Sequence, residues 1–183
     1  MKLNLSFWRS ASPKKERLYS ILLVFIVAFS AMVIGSFAMV GHNQAKNISN
    51  NLNQTLSEHL TDNDLAEYIF LNNFQILLLM FIPLVGAGLG LIILYETGVV
   101  LSALATVHGY PAYIAVLTLL TTPVFWLEFA AYSIAMAESI WIFRCLLRRR
   151  WGELKWFALS IGLCTLLLII GAYVEVYLIH LAG

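Results

Sequence analysis

Charge is scarce in this chain. Only 11% of its 183 residues are Asp, Glu, Lys or Arg, and hydrophobic residues make up 61%, against roughly 45–50% in soluble domains. No stretch is polar for long enough to build a separate soluble domain. There are two cysteines, Cys145 beside a basic cluster and Cys164 inside an apolar run. So few argue against a disulfide framework, and both are read as reduced structural residues. A phosphate-binding loop, a dinucleotide fingerprint, a Ser or Cys nucleophile motif and a His-Glu-x-x-His element are all missing. His or Glu pairs at i, i+3 or i+4, which a helix-borne metal site favours, are missing as well. No catalytic role, cofactor or metal is therefore expected, and an enzyme ranks behind a non-enzymatic membrane protein. The basic clusters flank apolar segments, which argues against nucleic-acid binding.

What remains is a polytopic membrane protein, with a mean hydropathy of +0.83 and a length that leaves room for several spans of about 20 residues. The expectation is an all-α integral membrane helix bundle forming one membrane domain over residues 1–183. Residues 1–17 carry Lys2, Arg9, Lys14, Lys15 and Arg17 against Glu16, so the N-terminus is expected in the cytoplasm of a multi-pass cell-membrane protein. Leu3, Leu5, Phe7 and Trp8 there suit either a short interfacial helix or a disordered tail with an aromatic anchor. The apolar run 18–40 is too long for a cleavable signal core of about 7–15 residues and is read as a retained span. Residues 41–72 form the one sizeable polar stretch, with Lys46 opposed by Glu58, Asp62, Asp64 and Glu67, and belong outside. Two sequons, at Asn47 and Asn53, fit an external loop. Leucines at near-helical spacing (Leu52, Leu56, Leu60, Leu65) predict a surface amphipathic helix there.

Spans are expected at 73–95, 97–120, 123–144 and 156–180 as well. The second carries Pro83 and the spaced Gly86, Gly88 and Gly90, which bend a helix or admit a close neighbour, and it should end in a tight turn at Glu96-Thr97-Gly98. The stretch 97–120 is split by His108-Gly109-Tyr110-Pro111 into two runs too short to cross alone. It is therefore either one broken span or a re-entrant hairpin. Residues 144–155 hold Arg144, Arg148, Arg149, Arg150 and Lys155 against Glu153, a cytoplasmic signature. With residues 41–72 outside, an internal basic cluster requires an odd number of crossings in between, which favours about five spans with a broken third. Four spans and a hairpin is the alternative.

The candidate site residues are the polar groups stranded in apolar surroundings: Glu96, His108, Glu128, Tyr132, Glu138 and Glu175. An ionised acid at a bilayer centre costs roughly 2.5–3.5 kcal/mol on insertion scales, so each acid there is a site hypothesis. At 100° per residue Glu128, Tyr132 and Ser139 share one helix face, with Glu138 about 80° away. A carboxyl, a phenol and a hydroxyl so aligned can bind a cation, relay protons or satisfy one another. His108, beside Gly109 and Pro111, reads as a turn residue, and Glu138 as a partner for Arg144.

Three islands carry a family resemblance: Asn73 with the glycine-rich run to Glu96-Thr97-Gly98, the stretch from Pro123 through Glu128 to Ala131, and Ala172-Tyr173-Val174-Glu175. Over about residues 70–183 the chain resembles the stage II sporulation protein M family of small polytopic membrane proteins. The second island is similar to the family's Pro-His-Gly-x-x-Glu-x-x-Ala signature, with apolar side chains where the family has His and Gly. Glu96 stands where the family has Asn. Glu128 and Glu175 carry over. The resemblance implies a five-span fold and, for the sporulation member, work in a membrane complex with cell-wall remodelling partners. Two functions follow as expectations. The first is a scaffold or accessory subunit, with the lipid bilayer and either further copies of the chain or other membrane subunits as partners. The second is a transporter or channel-like protein for a cation, proton or small solute, built on the broken third span and Glu128.

Overall fold

A computed structural model describes residues 13–58, 62–149 and 151–182; the aromatic anchor expected at Phe7 and Trp8 lies outside them. Among the described residues there are seven α-helices: α1 (Pro13–Ser36), α2 (His42–Glu58), α3 (Asp62–Met80), α4 (Val85–His108), α5 (Ala112–Thr121), α6 (Pro123–Leu147) and α7 (Leu154–Ala182), with a 3₁₀ turn at Trp151–Glu153 before the last. The all-α membrane bundle is the observed class. Among the described residues four helices are long and apolar enough to cross a membrane by length and composition, α1, α4, α6 and α7, so a fifth span of that kind is not confirmed. The apolar part of α3, Leu65–Met80, and all of α5 are shorter.

The helix boundaries correct the expected spans. Residues 73–95 and 97–120 are not two units, because the chain breaks at 81–84 and again at 109–111. Pro83 does more than bend a helix. It brings no N–H to the ladder, and Leu84 after it takes φ +65°, a left-handed conformation costly for a leucine. The break is tied to α6: the Leu84 N–H donates to the Ser139 carbonyl at 3.1 Å, and the Ser139 hydroxyl joins the Gly86 N–H on the Ile82 carbonyl, at 2.7 and 2.8 Å. Glu96-Thr97-Gly98, expected as a turn, lies within α4. The break at His108-Gly109-Tyr110-Pro111 is where the sequence places it. Gly109 caps α4 at φ +73°, its N–H donating to the Ala105 carbonyl, and Pro111 starts the next helix.

Contacts fix the relative directions of the helices. Arg17 at the start of α1 meets Glu138 late in α6, while Phe25 packs edge-on to Phe129 at 4.9 Å, so these two helices are antiparallel. A Cβ on Gly98 would overlap the Met32 carbonyl, and one on Gly35 would overlap the Tyr95 carbonyl. The backbones of α1 and α4 therefore touch where both residues are glycine, and Ser102 donates to the Ala38 carbonyl one turn further along, at 2.7 Å. Phe157 of α7 meets Phe81, Cys164 approaches the Ala131 carbonyl at 3.4 Å and Gly171 faces Glu128. Thus α1, α4 and α7 run one way, and α3 and α6 the other.

Helix α6 is the centre, with 56% of its most apolar window buried against 17% for α1. Its Phe129, Tyr132 and Met136 join Met32, Leu77, Leu94 and Leu168 in one apolar core. Both cysteines are free.

Candidate functional site

The polar groups separate into two places. At the start of α1 and the end of α6, the Arg17 guanidinium donates to both oxygens of Glu138, at 3.0 and 3.2 Å, and to Glu153 at 3.3 Å. Glu138 is only 3% exposed, so this pair is desolvated and depends on its partner. Arg144 is not that partner. Six residues on from Glu138 it points about 120° away around the helix, and it lies over the Trp141 ring at 5.1 Å. Arg17 approaches the same ring at 5.3 Å.

The second place is a cleft of about 540 Å³ near the start of α6. Its polar wall includes Asn72 and Asn73 from α3, Thr97 from α4, Thr122 before α6, Glu128 and Tyr132 from α6, and Glu175 from α7. Proline at the first position of α6 follows the extended Thr122, which starts the helix sharply and turns Glu128 and Tyr132, one turn apart, to the same side. The Asn73 amide donates a hydrogen bond to Glu128 Oε1. Glu175 makes no hydrogen bond or ion pair among the described residues, and no Lys, Arg or His lines the cleft. Tyr132 is 7% exposed, and its hydroxyl has no hydrogen-bond partner among the described residues. Phe125, Phe129 and Met32 form part of the apolar wall.

Of the six residues singled out in the sequence, the structure brings together three, Glu128, Tyr132 and Glu175. Glu138 belongs to the ion-pair cluster. Glu96 is exposed on the outside of α4, although its neighbour Thr97 lines the cleft. His108 ends α4 beside the turn and stacks on Tyr110 at 6.0 Å, away from the cleft. Ser139 shares the helical face of Glu128 and Tyr132 but serves the chain break instead, since eleven residues of helix separate it from Glu128 by about 16 Å. Glu128 is tied to α3, through Asn73, and not to the broken α4–α5 segment. Asn73 and Arg17 were the functional partners that spacing did not reveal. An amide at the head of an apolar run and an arginine at the edge of another were the available signals. Among the described residues no group of three or more His, Cys, Asp or Glu is placed to hold a metal.

No curated protein and no solved structure matches the chain. A family model described as Stage II sporulation protein M matches residues 20–178, so the likeness begins in α1, well before residue 70, and takes in the cleft, Glu138 and Glu153, with Arg17 just outside it. The chain belongs to the stage II sporulation protein M family.

Proposed function

We propose that this protein is a non-enzymatic accessory subunit, or scaffold, of a larger complex in the cell membrane. Glu96 carries the reading. It lies halfway along α4, is exposed on the outer surface of the bundle, and makes no hydrogen bond or ion pair among the described residues. An acid on a spanning helix almost always faces a bundle interior or a water-filled cavity. A neighbouring subunit gives Glu96 that interior. Ile92, one turn earlier, shares its face, and Gly88 lies about 80° around the helix, where a Cβ would meet nothing, which leaves room for another helix to approach closely.

A photo-crosslinking residue at position 92 tests the reading in native membranes, with position 22 on α1 as the control. The expected result is one discrete adduct from position 92, reduced by Glu96→Leu, and none from position 22. A chain that remained monomeric in native lipid without adducts would overturn it.

The cleft favours a second reading, passage of a cation, proton or small solute past Glu128, because two carboxylates converge there with no basic residue lining it. Flux into proteoliposomes that is unchanged by Glu128→Gln would exclude it. For orientation, we propose five passes with the N-terminus inside, formed by α1, α3, α4, α5 with α6, and α7. The alternating helix directions and the basic residues at the Arg17 and Arg144 ends support this arrangement.

A further inference from the structure

The cleft has the makings of a binding site for one class of ligand, and the inference depends on neither the subunit reading nor the flux reading. We propose that it binds an organic ammonium ion, whose charged head sits between Glu128 and Glu175 and whose apolar body lies against Phe125 and Phe129.

The first sign is the charge of the lining. Two carboxylates from different helices line one cleft that no Lys, Arg or His among the described residues lines. One of them, Glu175, has no hydrogen-bond or ionic partner among the described residues. An acid held in apolar surroundings without a counter-charge is costly, and a bound cation removes that cost.

Tyr132 is the second, independent sign. It is buried to all but 7% of its surface in the wall of the cleft, and its hydroxyl is unpartnered among the described residues. Tyrosine side chains this buried usually find a partner for the hydroxyl, and this hydroxyl is not sealed from the cleft. An N–H donor in the cleft supplies one, with the phenol oxygen accepting. Asn73 is already committed to Glu128, so it orients that carboxylate and leaves its other oxygen for the ligand.

The walls select the body of the ligand. Phenylalanine faces attract an ammonium or guanidinium within about 6 Å and accept an apolar substituent equally well. The volume, about 540 Å³, lies within the range of roughly 300–1,000 Å³ that encloses small organic molecules. A bare metal ion fits less well, because no group of three His, Cys, Asp or Glu is assembled among the described residues.

An ammonium group with an apolar body is offered both by a free amine solute and by the headgroup of an ethanolamine phospholipid. The test therefore has two arms. In the first, the purified full chain is placed in nanodiscs of phosphatidylcholine and phosphatidylglycerol and titrated calorimetrically with benzylammonium, with benzyl alcohol as the neutral isostere. Saturable one-to-one binding of the amine is expected, with no binding of the alcohol. Glu175→Gln and Tyr132→Phe should each weaken it by about tenfold or more, the scale of a lost hydrogen bond to a charged group. Either variant counts only if it elutes as a single species with unchanged helical circular dichroism. In the second arm phosphatidylethanolamine is added: competition with benzylammonium assigns the site to the lipid headgroup, and no competition assigns it to a free amine. Alcohol binding as tight as amine binding, or amine affinity unchanged in both folded variants, would overturn the proposal. It is equally overturned if benzylammonium fails to bind and native mass spectrometry shows no retained ethanolamine lipid.

Discussion

Arg17 is where a single side chain matters most. Its guanidinium holds Glu138, which is 3% exposed, and reaches Glu153 as well. Arg17→Ala leaves a buried carboxylate without its cation, and a loss of about 3–5 kcal/mol is expected in reversible unfolding from mixed micelles. The paired change Arg17→Met with Glu138→Leu should recover most of that loss, since an apolar pair of similar volume has no charge to desolvate. Glu128 calls for a different pair of variants. Glu128→Gln keeps an acceptor for the Asn73 amide and should shift stability by less than about 1 kcal/mol, whereas Glu128→Leu orphans that amide and should cost about 1–3 kcal/mol. Spacing was enough to align Glu128 with Tyr132, because four residues on one helix are neighbours whatever surrounds them. It was silent on Arg17 and Glu138, which lie 121 positions apart and meet only through the bundle. Glu175 was legible as an acid stranded in the last apolar run and again through family likeness, but not as a neighbour of Glu128.

For the helices, the same glycine letter has three uses. Gly98 lies against the α1 backbone, Gly109 closes α4 at positive φ, and Gly88 faces open space. Gly98→Ala should therefore destabilise by about 1–3 kcal/mol through overpacking, while Gly88→Ala should stay within about 0.5 kcal/mol, both read as unfolding midpoints in the same micelles. These uses also explain where the sequence misled about the spans. A glycine beside a threonine and an acid reads as a turn, yet Gly98 is there to let two helices touch. Pro83 was legible as an interruption, but whether a proline kinks a helix or ends it depends on partners for the freed carbonyl and N–H, and Ser139 bonds to both. The His108 to Pro111 break was legible in full, because glycine followed closely by proline ends a helix by local chemistry alone.

At the level of the whole molecule, composition and charge placement were sufficient for an all-α membrane bundle, since apolar segments with no water to bond must close their own backbone ladders. They were insufficient for the division into helices, because α3 and α5 are too short to announce themselves as spans. The five-pass arrangement has a direct check. In a background carrying Cys145→Ser and Cys164→Ser, a cysteine at position 42 should react with an impermeant maleimide in intact cells, and one at position 148 only after permeabilisation. Labelling of position 148 and not of 42 from outside would instead invert the arrangement, because Arg17 keeps the start of α1 and the end of α6 on one side.

The bonds between Ser139 and the break before α4 also carry an implication for biosynthesis. Ser139 is made 55 residues after Leu84, so when α3 and α4 leave the ribosome the Leu84 N–H has no protein partner, while the Ile82 carbonyl already accepts from the Gly86 N–H. Inside lipid such groups are costly to leave unbonded. The α3–α4 pair must therefore wait at a hydrated site, in the insertion machinery or at the headgroup layer, until α6 arrives. Nascent chains stalled before residue 139 emerges should therefore remain accessible to cytosolic protease longer than chains stalled beyond it, in a timed insertion assay.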